Sequence, residues 1–461
     1  MEGISGYTFE DSNQDCIFNS SDVGLKNIPL KVFASGNQIG SVITARNGVY
    51  QFPIGAGNYR VELDVATAPI AFSCPNPGLD SNVVVATAAP FVENVNFEVT
   101  CPSGFDVGAQ AAFPVGPVFP GQSHVLHVSA GDRSNFYGLH CAAGTVGQVV
   151  IEVTGPVTYT GPGAGALSPS ISGITYTYGP VDFDTINFST DFALGFFTDT
   201  TAQSGDTICV NVTVTPTLGD NDASNNSLAL CYQVSNSLDP NDKIVYPTQV
   251  TTGYTGWLYY TLRFQNTGTA PAYNIRLADT LANELDWSTF QLLEMSHTAT
   301  VSLVQGNLNF KFDGILLPDS LSDPLGSQGF VQFRMRPKST VPDGWEVKNT
   351  ASIYFDFNPP VVTNTAKTLF GDMVAVADPF IQGWLKVFPN PGKGQFQVTW
   401  EGPKSAGPIT LTVYNAMGQL VSTKQSFREV ASFDLQQQAA GIYFVRASSK
   451  AGNQVVRLIK R

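Results

Sequence analysis

Residues 257–281 read WLYYTLRFQNTGTAPAYNIRLADTL. Up to Gln265, apolar and polar or aromatic side chains alternate: Leu258, Tyr260, Leu262 and Phe264 fall on one parity, Tyr259, Thr261, Arg263 and Gln265 on the other. After the turn-forming NTGTA, the same period of two resumes in NIRLADT. A repeat of two places successive side chains on opposite faces of a strand, and Asn, Gly and Thr break the run where the chain must reverse. The stretch is therefore two strands and a turn.

Working outward, the same alternation returns in IPLKVFA, GNYRVELDV, VVIEVTG, ITYTYGPVDF, ICVNVTVTP and FVQFRMRP, and again near the carboxyl end in ITLTVYN. There Ile409, Leu411 and Val413 share one face, and Thr410, Thr412 and Tyr414 share the other. Short strands punctuated by 43 glycines and 29 prolines predict an all-β chain of tandem immunoglobulin-like or prealbumin-like β-sandwiches. At 461 residues it is long enough for about three or four domains. The boundaries are expected at 1–74, 75–235 and 236–370, with a linker at 371–383 and a last module at 384–461.

The net charge of −13 argues against nucleic acid as a partner, since phosphate binding needs a basic face. The charge is uneven: from Gly383 onward ten Lys/Arg face three Asp/Glu, a net of +7 that leaves −20 for the rest. A sign change at one point predicts a tail with its own task. Six cysteines, none of them in a CxxC pair, suit disulfides of an oxidising compartment. Cys209 and Cys231 flank the turn-rich TLGDNDASNN, so a hairpin centred near Asp220 brings them opposite one another; the pairing of Cys16, Cys74, Cys101 and Cys141 stays open. No apolar run approaches the roughly 20 residues of a membrane helix. No signal peptide precedes the first strand, so the sequence is expected to be a fragment lacking its natural amino-terminal part.

Asp11–Asp22, DSNQDCIFNSSD, carries oxygen side chains at positions one, three, five, nine and twelve: Asp11, Asn13, Asp15, Asn19 and Asp22. With the carbonyl of Ile17 at position seven, this is the ligand order of a twelve-residue calcium loop. Calcium is thus the expected structural cofactor. Cys16 stands where such loops carry a sharp-turn glycine, and Asp22 shortens the usual closing Glu. Both departures predict weak binding, near ~0.1–1 mM.

Three resemblances rest on longer motifs. GYTFEDSNQD, GLKNIPLKVF and NGVYQFPIGAGNYRVEL resemble the B-type repeats of bacterial surface adhesins. LDPNDK, NTGTAPAYNIRLADTL and YFDFNPPVVTN resemble a domain of unknown function related to conserved-repeat modules of bacterial surface proteins. The tail carries Pro389, Asn390, Pro391, Gly394 and Phe396; Tyr414, Gly418, Gln419 and Leu420; Gly441, Ile442 and Tyr443; and a basic end through Lys460. This set resembles the type A sorting domain of the Bacteroidetes type IX secretion system. It implies export through the periplasm by the type IX machinery, removal of the tail by its sorting protease in the linker, and release or attachment to surface lipopolysaccharide.

Catalysis has little support in the sequence. The four histidines are His124, His127, His140 and His297, and the three-residue spacing of the first two points them to opposite strand faces, which disfavours a shared metal. Asp182/Asp184 and the DPNDK acids Asp239 and Asp242 read as strand-face or turn residues. The expected function is a non-catalytic adhesin-like or spacer protein outside the cell, acting on an unidentified protein or glycan. The alternative is the auxiliary region of a larger secreted enzyme, with carbohydrate binding resting on the aromatics of NFYGLH and YTYG.

Overall fold

A computed structural model describes residues 2–116, 118–235, 239–371, 385–400, 409–415, 419–426, 430–449 and 452–461. Its elements are strands, with two short 3-10 turns at Arg133–Tyr137 and Ala223–Asn225. The chain divides into two compact units, Met1–Gly371 and Asp372–Arg461. The 371–383 linker, apart from Gly371, lies outside the described residues.

The amino-terminal module packs two sheets. Strand Gly3–Glu10 is buried almost throughout because it is flanked on both sides: Val49–Phe52 runs antiparallel to it, and Phe91–Val92 and Phe97–Glu98 run parallel. The second sheet carries Asn37–Ile43, Pro29–Ala34, Gly57–Leu63 and Asp80–Val85 in that order. Leu30, Val32, Val42, Tyr50, Phe52 and Val61 fill the space between the sheets.

The module does not end at residue 74. Asp80–Val85 pairs with Gly57–Leu63, and Ala71 bridges Thr100. The Pro- and Gly-rich CPNPG at 74–78 marks a loop between two strands of one sandwich, because the same residue types serve turns and domain exits alike.

The second module is a sandwich of a four-stranded sheet (Val107–Val115, Ser123–Asp132, Leu194–Thr198, Val157–Pro162) and a five-stranded one. In the latter, Ser170–Ser172, Thr175–Asp182, Val146–Thr154, Thr207–Thr215 and Ser227–Gln233 lie side by side. Its core includes Val149, Ile151, Phe192, Phe196, Val210 and Leu230.

The third module contributes a four-stranded sheet of Lys243–Tyr246, Leu258–Gln265, Gln328–Pro337 and Leu285–Met295. NTGTA does form a turn, but its two flanking strands enter different sheets: Leu258–Gln265 pairs with Gln328–Pro337, and Ile275–Thr280 with Asn307–Phe312.

The first and third modules are not separate beads. Thr300–Val304 pairs antiparallel with Asn37–Ile43, joining them in one nine-stranded sheet. Their apolar residues form one cluster, from Leu30 and Phe52 to Leu303, Phe310 and Phe333. The second module is tied to both. Cys101–Cys141 links it covalently to the end of the first. Against the third, Gln110 Nε2 donates to the Leu293 carbonyl at 2.7 Å, and Phe113 packs on Phe330 with ring centroids 4.4 Å apart.

The carboxyl-terminal unit is a smaller sandwich. Three strands (Leu385–Phe388, Gln395–Trp400, Val430–Asp434) face four (Leu420–Ser426, Ile409–Asn415, Gly441–Ser449, Gly452–Lys460). Phe396, Val398, Leu411, Val413, Val445 and Leu458 form its core.

Candidate functional site

The loop Asp11–Asp22 leaves strand Gly3–Glu10 and returns at Val23, which pairs with Glu10. Its two end carboxylates organise its backbone. Asp11 Oδ1 accepts the N–H of Gln14 at 2.8 Å, and its Oδ2 accepts that of Cys16 at 2.7 Å. Asp22 accepts the N–H of Ser12 at 3.2 Å and that of Asn19 at 2.8 Å. Between them, Asp15 Oδ2 receives Nδ2 of Asn13 at 2.8 Å and of Asn19 at 3.2 Å. Asn19 Nδ2 also donates to the Ile17 carbonyl at 2.8 Å.

The side chains of Asn13, Asp15 and Asn19 and the Ile17 carbonyl thus meet in one place, with the Asp11 and Asp22 carboxylates at the two ends of the loop. Turning the two amides over presents oxygen in place of nitrogen, and gives up the Asp15 N–H bond to Asn13 Oδ1 and the Ser21 N–H bond to Asn19 Oδ1. The donor set is then all oxygen, which suits calcium.

Gln14 and Cys16 hold φ of 61° and 60°, the left-handed conformation that glycine usually supplies. The Cys16 side chain is tied to Cys74 by a disulfide across 58 residues. Asp11 and the two sulfurs cluster within 4.8 Å, but both sulfurs are spent in the disulfide and offer no thiolate to a metal.

Cys209 and Cys231 stand directly opposite in register, Cα atoms 4.0 Å apart, and are bonded. The histidines are dispersed. His124, 3% exposed, meets the Tyr232 hydroxyl at 3.0 Å, and burial pushes its pKa down to about 4. His127 points to the opposite face, where it stacks on Phe113 at 4.8 Å, and burial lowers its pKa as well.

The acids are turn formers. Asp182 accepts the Asp184 N–H at 3.1 Å, and Asp239 accepts the Asn241 N–H at 2.9 Å. Asp242 is paired with Arg263, whose Nε donates to it at 2.7 Å. The aromatics proposed as a sugar platform are core residues, at most 5% exposed: strand alternation turns Tyr176 and Tyr178 inward, and the 3-10 turn Arg133–Tyr137 buries Phe136 and Tyr137.

In the carboxyl-terminal unit the sorting-motif residues gather around the last strand. Asn390, between Pro389 and Pro391, accepts the Ile459 N–H at 2.9 Å and donates to the Arg457 carbonyl at 2.7 Å. Gly392 extends the clamp, bridging Lys460 and accepting the Arg461 N–H at 2.9 Å. Gly394 has φ of 125°, and a Cβ there would meet the Gln436 backbone at 2.9 Å, so only glycine fits. Phe396 is core, the Tyr443 hydroxyl donates to the Ala439 carbonyl at 2.7 Å, and Gly441 stands opposite Lys460. Gln419 exchanges backbone and side-chain hydrogen bonds with Asn415, beside Tyr414 and Leu420. Ile442, at 43%, is exposed. Gly418 lies outside the described residues.

Residues 2–103 match the SdrD B-like domain, residues 239–369 a domain of unknown function (DUF7619), and residues 386–461 the secretion system C-terminal sorting domain. No curated protein matches the chain. Among solved structures it is similar to the BSP domain of a biofilm-associated protein, at 8% identity over 78% of this chain and 83% of that one, with a TM-score of 0.22. It is also similar to the Enterococcus faecalis MSCRAMM ACE, at 11% identity over 58% and 98%, with a TM-score of 0.21. At such scores these likenesses say nothing of function.

The sorting domain marks the chain for type IX export to the cell surface or exterior, and its partner domain is adhesin-like. No catalytic family is among the matches. Among the described residues no helix is long and apolar enough to cross a membrane.

Proposed function

We propose that this chain is a non-catalytic surface protein whose first 371 residues form a stiff block that spaces or presents a binding face outside the cell. The observation that carries the reading is the nine-stranded sheet running through two domains, backed by their common core. A continuous sheet resists bending where flexibly linked modules would hinge.

Calcium held by Asp11, Asn13, Asp15, Asn19, Asp22 and the Ile17 carbonyl stiffens the amino-terminal loop and acts as a clamp rather than a sensor. The sorting unit is read by the export machinery as a folded shape with a basic last strand, then removed by the sorting protease in the linker. The rest is released or joined to lipopolysaccharide.

The exported protein, purified from its host, tests this on immobilised glycans and matrix proteins alongside glycoside, ester and peptide substrates. Retention without turnover is expected. Turnover of any substrate that persists through purification would replace this reading with an enzymatic one.

A further inference from the structure

The third module buries a lysine. Lys243 opens its first strand with no exposed side-chain surface, and its Nζ contacts Asp279 Oδ2, itself fully buried. The ammonium lies 5.1 Å from the ring centre of Tyr260 and 5.7 Å from that of Phe333. Such a dry, ring-walled place favours the neutral forms of both groups, and burial accordingly lowers the lysine pKa and raises that of the acid. The other carboxylate oxygen, Asp279 Oδ1, has no hydrogen-bonding partner among the described residues.

An amide in the same position is also left without partners. Asn349 is 2% exposed, and neither its Oδ1 nor its Nδ2 meets a partner among the described residues. Burial alternates through Val347, Asn349, Ala351 and Ile353, so these four side chains point inward together. Ala351 stands opposite Asp279 at the end of one ladder, and Asn349, two residues before Ala351, stands opposite Ala366 in the neighbouring sheet.

Lys243 is fixed to the same edge from the other side. Its N–H donates to Asn364 Oδ1 and its carbonyl accepts from Asn364 Nδ2, both at 2.9 Å. The neighbouring Thr363 N–H donates to the Ala351 carbonyl at 3.0 Å. An amine, a carboxyl group and a carboxamide are thereby buried on strands of three sheets that meet in this module.

We propose that Lys243 and Asn349 join in an intramolecular isopeptide bond, with Asp279 carrying the protons. The Lys243 ammonium first gives a proton to the Asp279 carboxylate, leaving a neutral amine. Its lone pair attacks Cγ of Asn349, the new Nζ–Cγ bond forms, and the Cγ–Nδ2 bond breaks. The second proton lost by Nζ passes through Asp279 to the departing nitrogen, which leaves as ammonia. Nothing is oxidised or reduced: an ammonium and a carboxamide become a secondary amide and an ammonium ion. The bond closes a loop from residue 243 to residue 349, tying the first strand of the module to one of its last, and it does not depend on the export reading.

Peptide mapping of the reduced full chain by mass spectrometry tests the bond. The expected result is a branched species joining the Lys243 and Asn349 peptides, lighter than their sum by one ammonia. Lys243→Met and Asn349→Ala abolish it, and Asp279→Asn leaves the two peptides separate although both partners remain. Separate wild-type peptides would overturn the proposal, as would a Lys243–Asp279 link formed with loss of water. A branched species in Asp279→Asn would overturn the role of the acid. The wild-type map decides the bond even if a variant fails to fold.

Discussion

Val301 stands directly opposite Ile43 in an antiparallel ladder, although 258 residues separate them. Through this pair and its neighbours the adhesin-like module and the domain of unknown function share one sheet. Leu303, opposite Ser41 in the same ladder and 1% exposed, packs into their common core. Leu303→Ala is expected to cost about 2–5 kcal/mol, the usual loss for a buried leucine. Calorimetry should still show residues 1–371 melting in one transition. Two transitions, of which only the later one moves, would mean that the modules unfold independently.

Calcium should raise the melting temperature of the amino-terminal region, and a chelator should lower it. Half-saturation is expected near ~0.1–1 mM, in the range of extracellular sites. Asp11→Ala removes one ligand and the acceptor of the Gln14 and Cys16 N–H groups, so it should abolish the response. Reducing the Cys16–Cys74 disulfide should weaken it, because the left-handed backbone at Cys16 is then no longer pinned. Identical melts in calcium and chelator would leave the loop a polar turn.

His124 makes stability depend on pH. Its folded pKa, about 4, lies below the ordinary value of 6.5, so the unfolded chain binds the proton more readily. Its stabilising contribution is complete above pH 6.5 and is lost as the pH falls toward 4. A tenfold change in proton affinity is worth about 1.4 kcal/mol, which makes the total on the order of 3 kcal/mol. Tyr232, Thr198 and Phe196 surround the ring, and among the described residues no charged group there offsets the loss. Denaturant melts at several pH values should show this slope, and His124→Phe should flatten it. An unchanged slope in the variant would place the acid sensitivity elsewhere.

What could be read from the residues was what repeats locally. Alternation located most strands, and the oxygens of the Asp11–Asp22 loop stood in ligand order because one loop contains them all. The partner of Asn37–Ile43 was not legible. Strand pairing across distant modules leaves only a run buried at its end, GSVI, which reads equally well as the core of its own sandwich. The exit at residue 74 failed for a related reason, since Pro and Gly signal a turn whether the chain then rejoins the same sheet or leaves it. Lys243 passed as part of an entrance motif. Its place on the inward parity of KIVY, with Val245, was the available sign that it is buried.

The carboxyl-terminal clamp separates shape from charge in sorting. Asn390 holds the last strand by two hydrogen bonds, one through its oxygen to Ile459 and one through its nitrogen to Arg457. Each is worth about 1 kcal/mol. Asn390→Asp keeps the acceptor and loses the donor, whereas Asn390→Ala loses both. If the machinery recognises the folded edge, a periplasmic reporter fused to residues 384–461 should reach the surface in falling amounts, from wild type through Asp to Ala. Replacing Lys460 and Arg461 by glutamine keeps the strand backbone that Gly392 and Asn390 hold, and so tests charge alone. Export that ignores both asparagine variants but collapses with the glutamines would mean that the last strand is read as a basic peptide and that the clamp serves stability only.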